Sequence, residues 1–350
     1  MDNGKHTAAF EEAFADYVGA LYAIAMANGT ATLHTALAAL GVRHGDHVAV
    51  PPLTMSATTI AVLHAGGVPR FVDIDPDTWL MDNTKPRRIE SEVWMGVSLY
   101  GLHEPNPPWA IDDAAQTLRP HSGCAFTSYS FQASKILALG EGGMLCTDDE
   151  NLARKAREFS SLGYSMDPDQ PRIDPAVLKH PTYERHHSLG WNYRMSDIVA
   201  RKGRGWLDHP GGFTHNALGN PTMCNADRAK YARRDAANHY ALAIRGCDWI
   251  TPQRVPDLWI HDYWCYAVAL ESPGMWEPFT EAVVRHGGEM PYGAWALTYQ
   301  EPAFRYLAED GCCPVAEDLQ PRLVQFQTNN LTSARRNADA VAAAIKELNG

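Results

Sequence analysis

The chain has 350 residues, 45% hydrophobic and 20% charged, a balance that fits a soluble protein with one large and one smaller unit and excludes disordered or fibrous classes. Its net charge of −11 excludes a general attraction to nucleic acid or to anionic membrane, so an anionic ligand must be held by local features such as helix ends. The polar start, residues 1–10, lacks a signal-peptide pattern and no apolar run reaches bilayer length, so a cytoplasmic location is expected.

Residues 1–19 predict an amphipathic helix, because Phe10, Phe14 and Val18 recur every fourth position. The longest apolar run, 21–27, follows it. Asn28 then caps a second helix, with Leu33, Leu37 and Leu40 on one side and Gly41 as its stop. Short apolar runs at 47–50, 70–74, 93–99, 109–111, 125–130 and 144–146 read as strands. Helices are expected at 56–65 and 151–160. Apolar strands alternating with helices imply a mainly parallel sheet covered on both faces.

Residues 166–187, rich in Pro, Asp and His, predict a long functional loop, and 210–220 a second loop. A long helix is expected at 226–244, after which the pattern changes. A strand at 263–270 and helices at 276–286 and 333–348 indicate a smaller α+β domain. The expected division is therefore 1–224 and 225–350.

The seven cysteines are scattered, without C-x-x-C spacing, and read as reduced thiols rather than a disulfide framework or zinc ribbon. His180, His186 and His187 have no carboxylate or cysteine joining them at ligand spacing, so no metal is expected. Five tryptophans, Trp249, Trp259, Trp264, Trp276 and Trp295, read as packing for the smaller domain.

Four features bear on chemistry. Asn28-Gly29-Thr30 opens a helix, and a helix start offers free N–H groups and a positive dipole end to an anion; the alternative is a plain cap. Asp112-Asp113 follows an apolar strand, where a carboxylate can keep a ring nitrogen protonated; the alternative is a turn pair. Gln116 lies three residues on. Lys135 ends Ser130-Phe131-Gln132-Ala133-Ser134-Lys135, after a buried strand, where desolvation would free its amine for Schiff-base chemistry; the alternative is an exposed loop lysine. Gly140-Glu141-Gly142-Gly143 lacks a following Lys-Ser/Thr, which excludes a P-loop, and reads as a sharp return into the next strand.

These segments, with Gly190-Trp191-Asn192-Tyr193-Arg194-Met195, resemble in order and spacing the sugar aminotransferases of the DegT/DnrJ/StrS type. The resemblance implies the pyridoxal-phosphate (PLP)-dependent transferase fold type I: a large α/β domain with a mainly parallel seven-stranded sheet between helices, and a smaller α+β C-terminal domain. It implies PLP as cofactor, held by Lys135 as a Schiff base, with the lysine then moving protons. Asp113 would pair with the ring nitrogen, Gln116 would sit near the ring hydroxyl, and Gly29, Thr30 and Ser130 would bind the phosphate. Met55 stands where the family commonly stacks an aromatic residue on the ring. Asn192 would reach the phosphate in a partner subunit, making the active unit a homodimer, and Arg194, Tyr183 and Tyr299 are candidates for substrate contact. A Pro-Leu-His common in the family near 296–298 is absent, and with it a substrate-facing histidine.

The implied reaction moves an amino group from glutamate or glutamine to a ketone on a sugar or cyclitol. The alternatives are a PLP-dependent sugar dehydratase, whose relatives carry histidine where Lys135 stands, and a non-catalytic regulatory relative.

Overall fold

The computed structural model describes residues 4–84, 93–121, 123–164, 186, 188–208 and 223–349. Helix α1 (Lys5–Val18) buries Phe10, Phe14 and Val18 on one face and ends at Gly19, whose φ of 71° is the left-handed conformation glycine supplies at low cost. The apolar run that follows is strand β1 (Tyr22–Met26), which the sequence pattern alone did not resolve. Helix α2 (Gly29–Leu40) starts at Asn28, whose side chain accepts from Ala31 N, and stops at Gly41. Then come β2 (His47–Val50), α3 (Ala57–His64), β3 (Val68–Phe71), β4 (Val93–Val97), β5 (Leu102–His103), β6 (Ile111–Asp113), β7 (Phe126–Ser130), β8 (Gly143–Thr147) and α4 (Glu150–Ser160).

Seven of these strands form one sheet in the order β1-β8-β7-β6-β4-β2-β3. The ladders from β7 through β6, β4 and β2 to β3 are parallel. Strand β8 runs antiparallel to both β7 and β1. Both faces are covered, so strand side chains feed two cores in alternation. Ala23, Ala25, Tyr129, Met144 and Cys146 pack with α1 and with α5 (Asp197–Leu207). Ile24, Met26, Phe126 and Leu145 pack on the other side with α2, α3 and α4.

The C-terminal part contains α6 (Asn225–Ala243), β9 (Ile250–Pro252), β10 (Ile260–His261), β11 (Cys265–Leu270), α7 (Trp276–Arg285), β12 (Tyr292–Gly293), α8 (Pro314–Leu319), β13 (Leu323–Gln327) and α9 (Leu331–Leu348). Its antiparallel sheet, β12-β13-β11-β9, rests one face on α6, α7 and α9 through Tyr240, Phe279, Phe326 and Val341. The opposite face, with Cys265, Ala267 and Leu323, packs against Leu53, Ile74, Trp79 and Leu99 of the first part. Burial of that second face holds the smaller unit over the carboxyl ends of the parallel strands.

Asp112 and Asp113 are the last residues of β6 rather than a pair beyond the strand, so successive side chains take opposite faces. No described helix is long and apolar enough to cross a membrane.

Candidate active site

A cleft of about 810 Å³ opens where β4, β6 and β7 end and α2 begins, facing the C-terminal unit. Ligands of open α/β sheets bind at such strand ends. Gly29, Thr30, Met55, Asp113, Gln116, Ser130 and Lys135 all line it.

One end of the cleft is a close approach of backbone segments. A Cβ on Gly29 would lie 3.0 Å from Ser130 Cβ, and one on Gly143 would stand 2.6 Å from the Asn28 carbonyl oxygen. Only glycines permit this packing, which sets the amino end of α2 beside Ser130. Thr32 Oγ1 donates to Gly29 O at 2.6 Å and lies 2.6 Å from Ser128 Oγ, tying the helix start to β7. The result is a concavity of N–H groups and hydroxyls at a positive helix end, suited to an anion. Gly140 (φ 99°) and Gly142 (φ 156°) make the return into β8 that the sequence pattern indicated.

At mid-cleft, Asp113 is 5% exposed. Thr58 Oγ1 donates to its Oδ2 at 2.8 Å and Ala115 N to its Oδ1 at 3.2 Å. Burial raises its pKa, while Thr58, Lys135 and Ala115 oppose the rise. Thr54 Oγ1 lies 3.1 Å from Thr58 Oγ1 and extends the chain of hydroxyls. Asp112 instead accepts from Ser98 Oγ at 3.0 Å on the other face. Gln116 Oε1 accepts from Tyr100 N, which leaves its amide nitrogen as the group available to a ligand.

Lys135 follows β7 in a short loop, its N–H donating to Gln132 O at 2.9 Å. Its Nζ lies 5.0 Å from the centroid of the Trp264 ring. Burial lowers the amine below the ordinary lysine range; Asp113 opposes this and Arg233 adds to it. An amine that loses its proton this readily beside a buried carboxyl is equipped for nucleophilic and proton-transfer work. Met55, 46% exposed, stands at the rim with its Sδ accepting from Ala57 N at 3.1 Å.

The opposite wall comes from the C-terminal unit: Arg233, Trp264, Tyr292, Trp295, Gln325 and Thr328. Trp264 and Trp295 therefore face the cleft, although all five tryptophans were expected to pack; Trp249 and Trp276 do pack in the core behind the C-terminal sheet. Arg233, missed in the sequence, is 5% exposed.

Three expected substrate contacts need separate placement. Tyr299 does not line the cleft: it is 1% exposed, its ring is 5.1 Å from that of Phe71, and its hydroxyl donates to Glu317 Oε1 at 2.5 Å. It belongs to the core joining the two units, because the apolar ring and a nearby carboxylate partner satisfy it there. Arg194 is partly buried, bridges Met26 and lies outside the cleft lining. Tyr183 lies outside the described residues, as do Arg185, His180 and His187. His186 donates through Nδ1 to Leu162 O at 2.8 Å, and among the described residues no group of three or more His, Cys, Asp or Glu could hold a metal ion. Asn192 is exposed and does not line the cleft of its own chain. Its neighbour Tyr193 does, fixed by a 3.0 Å hydrogen bond to His34, whose pKa burial lowers to about 4.

The model of the DegT/DnrJ/EryC1/StrS aminotransferase family matches residues 1–103 and 111–346. GDP-perosamine synthase of Caulobacter vibrioides is 37% identical over 227 residues, covering 59% of this chain and 57% of that protein. A putative L-glutamine:3-amino-2,3-dideoxy-scyllo-inosose aminotransferase of Streptomyces kanamyceticus is 31% identical, covering 56% of this chain and 48% of that protein. The chain thus spans about half the length of these curated relatives. A crystal structure of NtdA from Bacillus subtilis with bound cofactor PMP shares the fold, with a TM-score of 0.80 at 20% identity over 98% of this chain and 78% of that one.

Proposed function

This chain belongs to the DegT/DnrJ/EryC1/StrS aminotransferase family, and from that membership we propose that it is a PLP-dependent aminotransferase acting on a ketone of a sugar or cyclitol, with glutamate or glutamine as amino donor. The observation that carries the reading is the desolvated amine of Lys135 in one cleft with the buried carboxyl of Asp113 and the glycine-lined helix end at Gly29. These residues fit PLP part by part: an anion cradle for the phosphate, a buried carboxyl for the ring nitrogen, and an amine for the aldehyde. The fit is supported by the PMP named with the NtdA structure, and the substrate class by the two curated relatives.

When bound, PLP supplies an electron sink for a carbon that loses a proton next to nitrogen. Of the residues that line the cleft, Gly29, Thr30 and Ser130 would hold the phosphate, Asp113 would keep the ring nitrogen protonated, and Gln116 would offer its amide to the ring. Met55, at the rim of the cleft, would pack against the ring's edge. Lys135 Nζ would be the attachment point for the aldehyde, and as a buried amine of lowered pKa it would be the group that takes up and returns a proton there. The C-terminal wall, with Trp264 and Trp295, covers the cleft and limits water.

The active unit is a homodimer in this reading, with Asn192 reaching the partner's phosphate and Arg194 close to the shared site. Its support is an exposed apolar strip, Leu189 (89%), Trp191 (51%) and Ile198 (79%), on both sides of Asn192. The two-domain division at residue 225 is supported by the separate core behind the C-terminal sheet. A cytoplasmic setting is supported by seven cysteines that are all free thiols.

The test is spectroscopic. Purified protein should take up PLP with a visible band that borohydride bleaches, that Lys135→Ala abolishes, and that glutamate or glutamine converts to the amine form. A band that survives Lys135→Ala, or no uptake by the native chain, would overturn the proposal.

A further inference from the structure

Arg233 is a buried cation in the cleft wall without a carboxylate ion-pair partner among the described residues. A guanidinium fork matches the two oxygens of a carboxylate, so a free fork facing the cleft would suit a substrate carboxylate. The geometry here points elsewhere. Nη1 donates to Trp264 O at 2.7 Å and to Thr328 Oγ1 at 3.1 Å, and Nη2 donates to Ser134 O at 3.3 Å. Both terminal nitrogens of the fork therefore already hold protein oxygens. Ser134 O also accepts from Trp264 Nε1 at 3.0 Å. Two side chains of the C-terminal unit, from α6 and from the residue before β11, thus converge on the carbonyl immediately preceding Lys135. From the other side, Gln132 Oε1 accepts from Ser134 N and from Ser134 Oγ, each at 2.7 Å.

We propose that Arg233 is a positioning residue for Lys135, clamping the Ser134 carbonyl together with Trp264 so that the C-terminal unit fixes the lysine loop and its positive charge faces the amine. The inference rests on the reading of Lys135 as the cofactor-bearing amine. The charged or titratable groups that act on that amine are Asp113 from β6, Arg233 from α6 and Cys265 from β11. Asp113 holds its proton on, whereas Arg233 pushes it off, and the thiol of Cys265 is kept neutral by burial. Burial lowers the guanidinium only to about 10, so it stays cationic at neutral pH.

Removing the charge should therefore raise the Lys135 pKa, and removing the fork should loosen the loop. The full chain is prepared with and without PLP in native form and as Arg233→Met, Arg233→Lys and Trp264→Phe. Two readouts need neither turnover nor cofactor: the pH profile of Lys135 acylation, read by mass spectrometry, and hydrogen exchange of the amides at 132–139. Arg233→Met should acylate at least about threefold more slowly near neutral pH, with its midpoint moved upward, and should exchange faster across the loop. Arg233→Lys should restore the midpoint but not the protection, because a point charge replaces the fork. Trp264→Phe removes the second donor without changing charge, so it should loosen the loop and leave the midpoint in place.

In the loaded protein, Arg233→Met should lower kcat with little change in the donor KM. Native acylation and exchange in Arg233→Met, with the loss confined to donor KM, would overturn the proposal in favour of a carboxylate anchor. If Arg233→Met does not fold, faster loop exchange in Trp264→Phe still supports the clamp, and native exchange there refutes it. Failure of PLP uptake by the native chain would sink the aminotransferase reading while leaving both cofactor-free measurements interpretable.

Discussion

Thr58→Val tests the environment of Asp113 at nearly constant volume. The hydroxyl of Thr58 donates to Oδ2 at 2.8 Å and stands 3.1 Å from the hydroxyl of Thr54, so its loss leaves one face of a buried carboxylate without a donor. A hydrogen bond to a charged buried group contributes about 1.5–3 kcal/mol, equivalent to roughly 1–2 pKa units. Burial already raises the Asp113 pKa in the folded chain. A raised carboxyl contributes stability that is fully present below its unfolded-state pKa and is lost as pH rises through the folded value. The substitution raises the folded value further, so its cost should grow with pH. Urea unfolding of the cofactor-free protein should show Thr58→Val destabilised by about 1.5–3 kcal/mol at pH 7 and by much less near pH 4. Equal destabilisation at both pH values would refute the assignment of the effect to carboxylate ionisation and point to packing alone.

Phe14→Ala should cost about 3–5 kcal/mol in chemical unfolding, since Phe14 is fully buried with its ring 5.1 Å from Tyr129 and 5.3 Å from Phe131. Met55→Tyr places an aromatic ring at the cleft rim, and PLP dissociation followed by absorbance should slow about 3–10-fold from the added stacking. Ile198→Asp puts a charge into the exposed apolar strip, and sedimentation should report a shift from dimer to monomer together with weaker PLP retention. Gly143→Ala pushes a methyl to 2.6 Å from the Asn28 carbonyl oxygen, and PLP affinity should fall at least about tenfold while far-ultraviolet circular dichroism stays native.

Short-range features were readable from the residues. Asn28 and Gly41 bounded α2 as their chemistry requires, and the run 47–50 coincides with β2. The cleft-lining residues Gly29, Thr30, Asp113, Ser130 and Lys135 were legible because each lies at or near a strand or helix end that its own sequence marks. What failed needed distant partners. Strand β1 is a continuous apolar run without the flanking prolines that mark β2, and it is a strand because β8 pairs with it. Arg233 sits beside Arg234 in a helix whose apolar residues are mostly alanine, so nothing local distinguishes the buried cation from its neighbour; Trp264 O and Thr328 select it. Tyr299 was a candidate for substrate contact, but Phe71 and Glu317 draw it into the core. Helix α5 passed unnoticed although Ser196 caps it, because Gly203 and Gly205 lie inside it and read as breakers.

The pairing of β1 with β8 sets Met26 opposite Gly143, which brings the start of α2 against the glycine return. During translation, at about 5–20 residues per second, the glycine-lined end of the cleft cannot exist until the ribosome has released the chain through β8. Lys135 emerges before that hairpin closes, and the residues that grip Ser134 emerge much later. Nascent chains arrested before β8 should therefore ignore the vitamin-derived cofactor, whichever other parts of the sheet have already assembled.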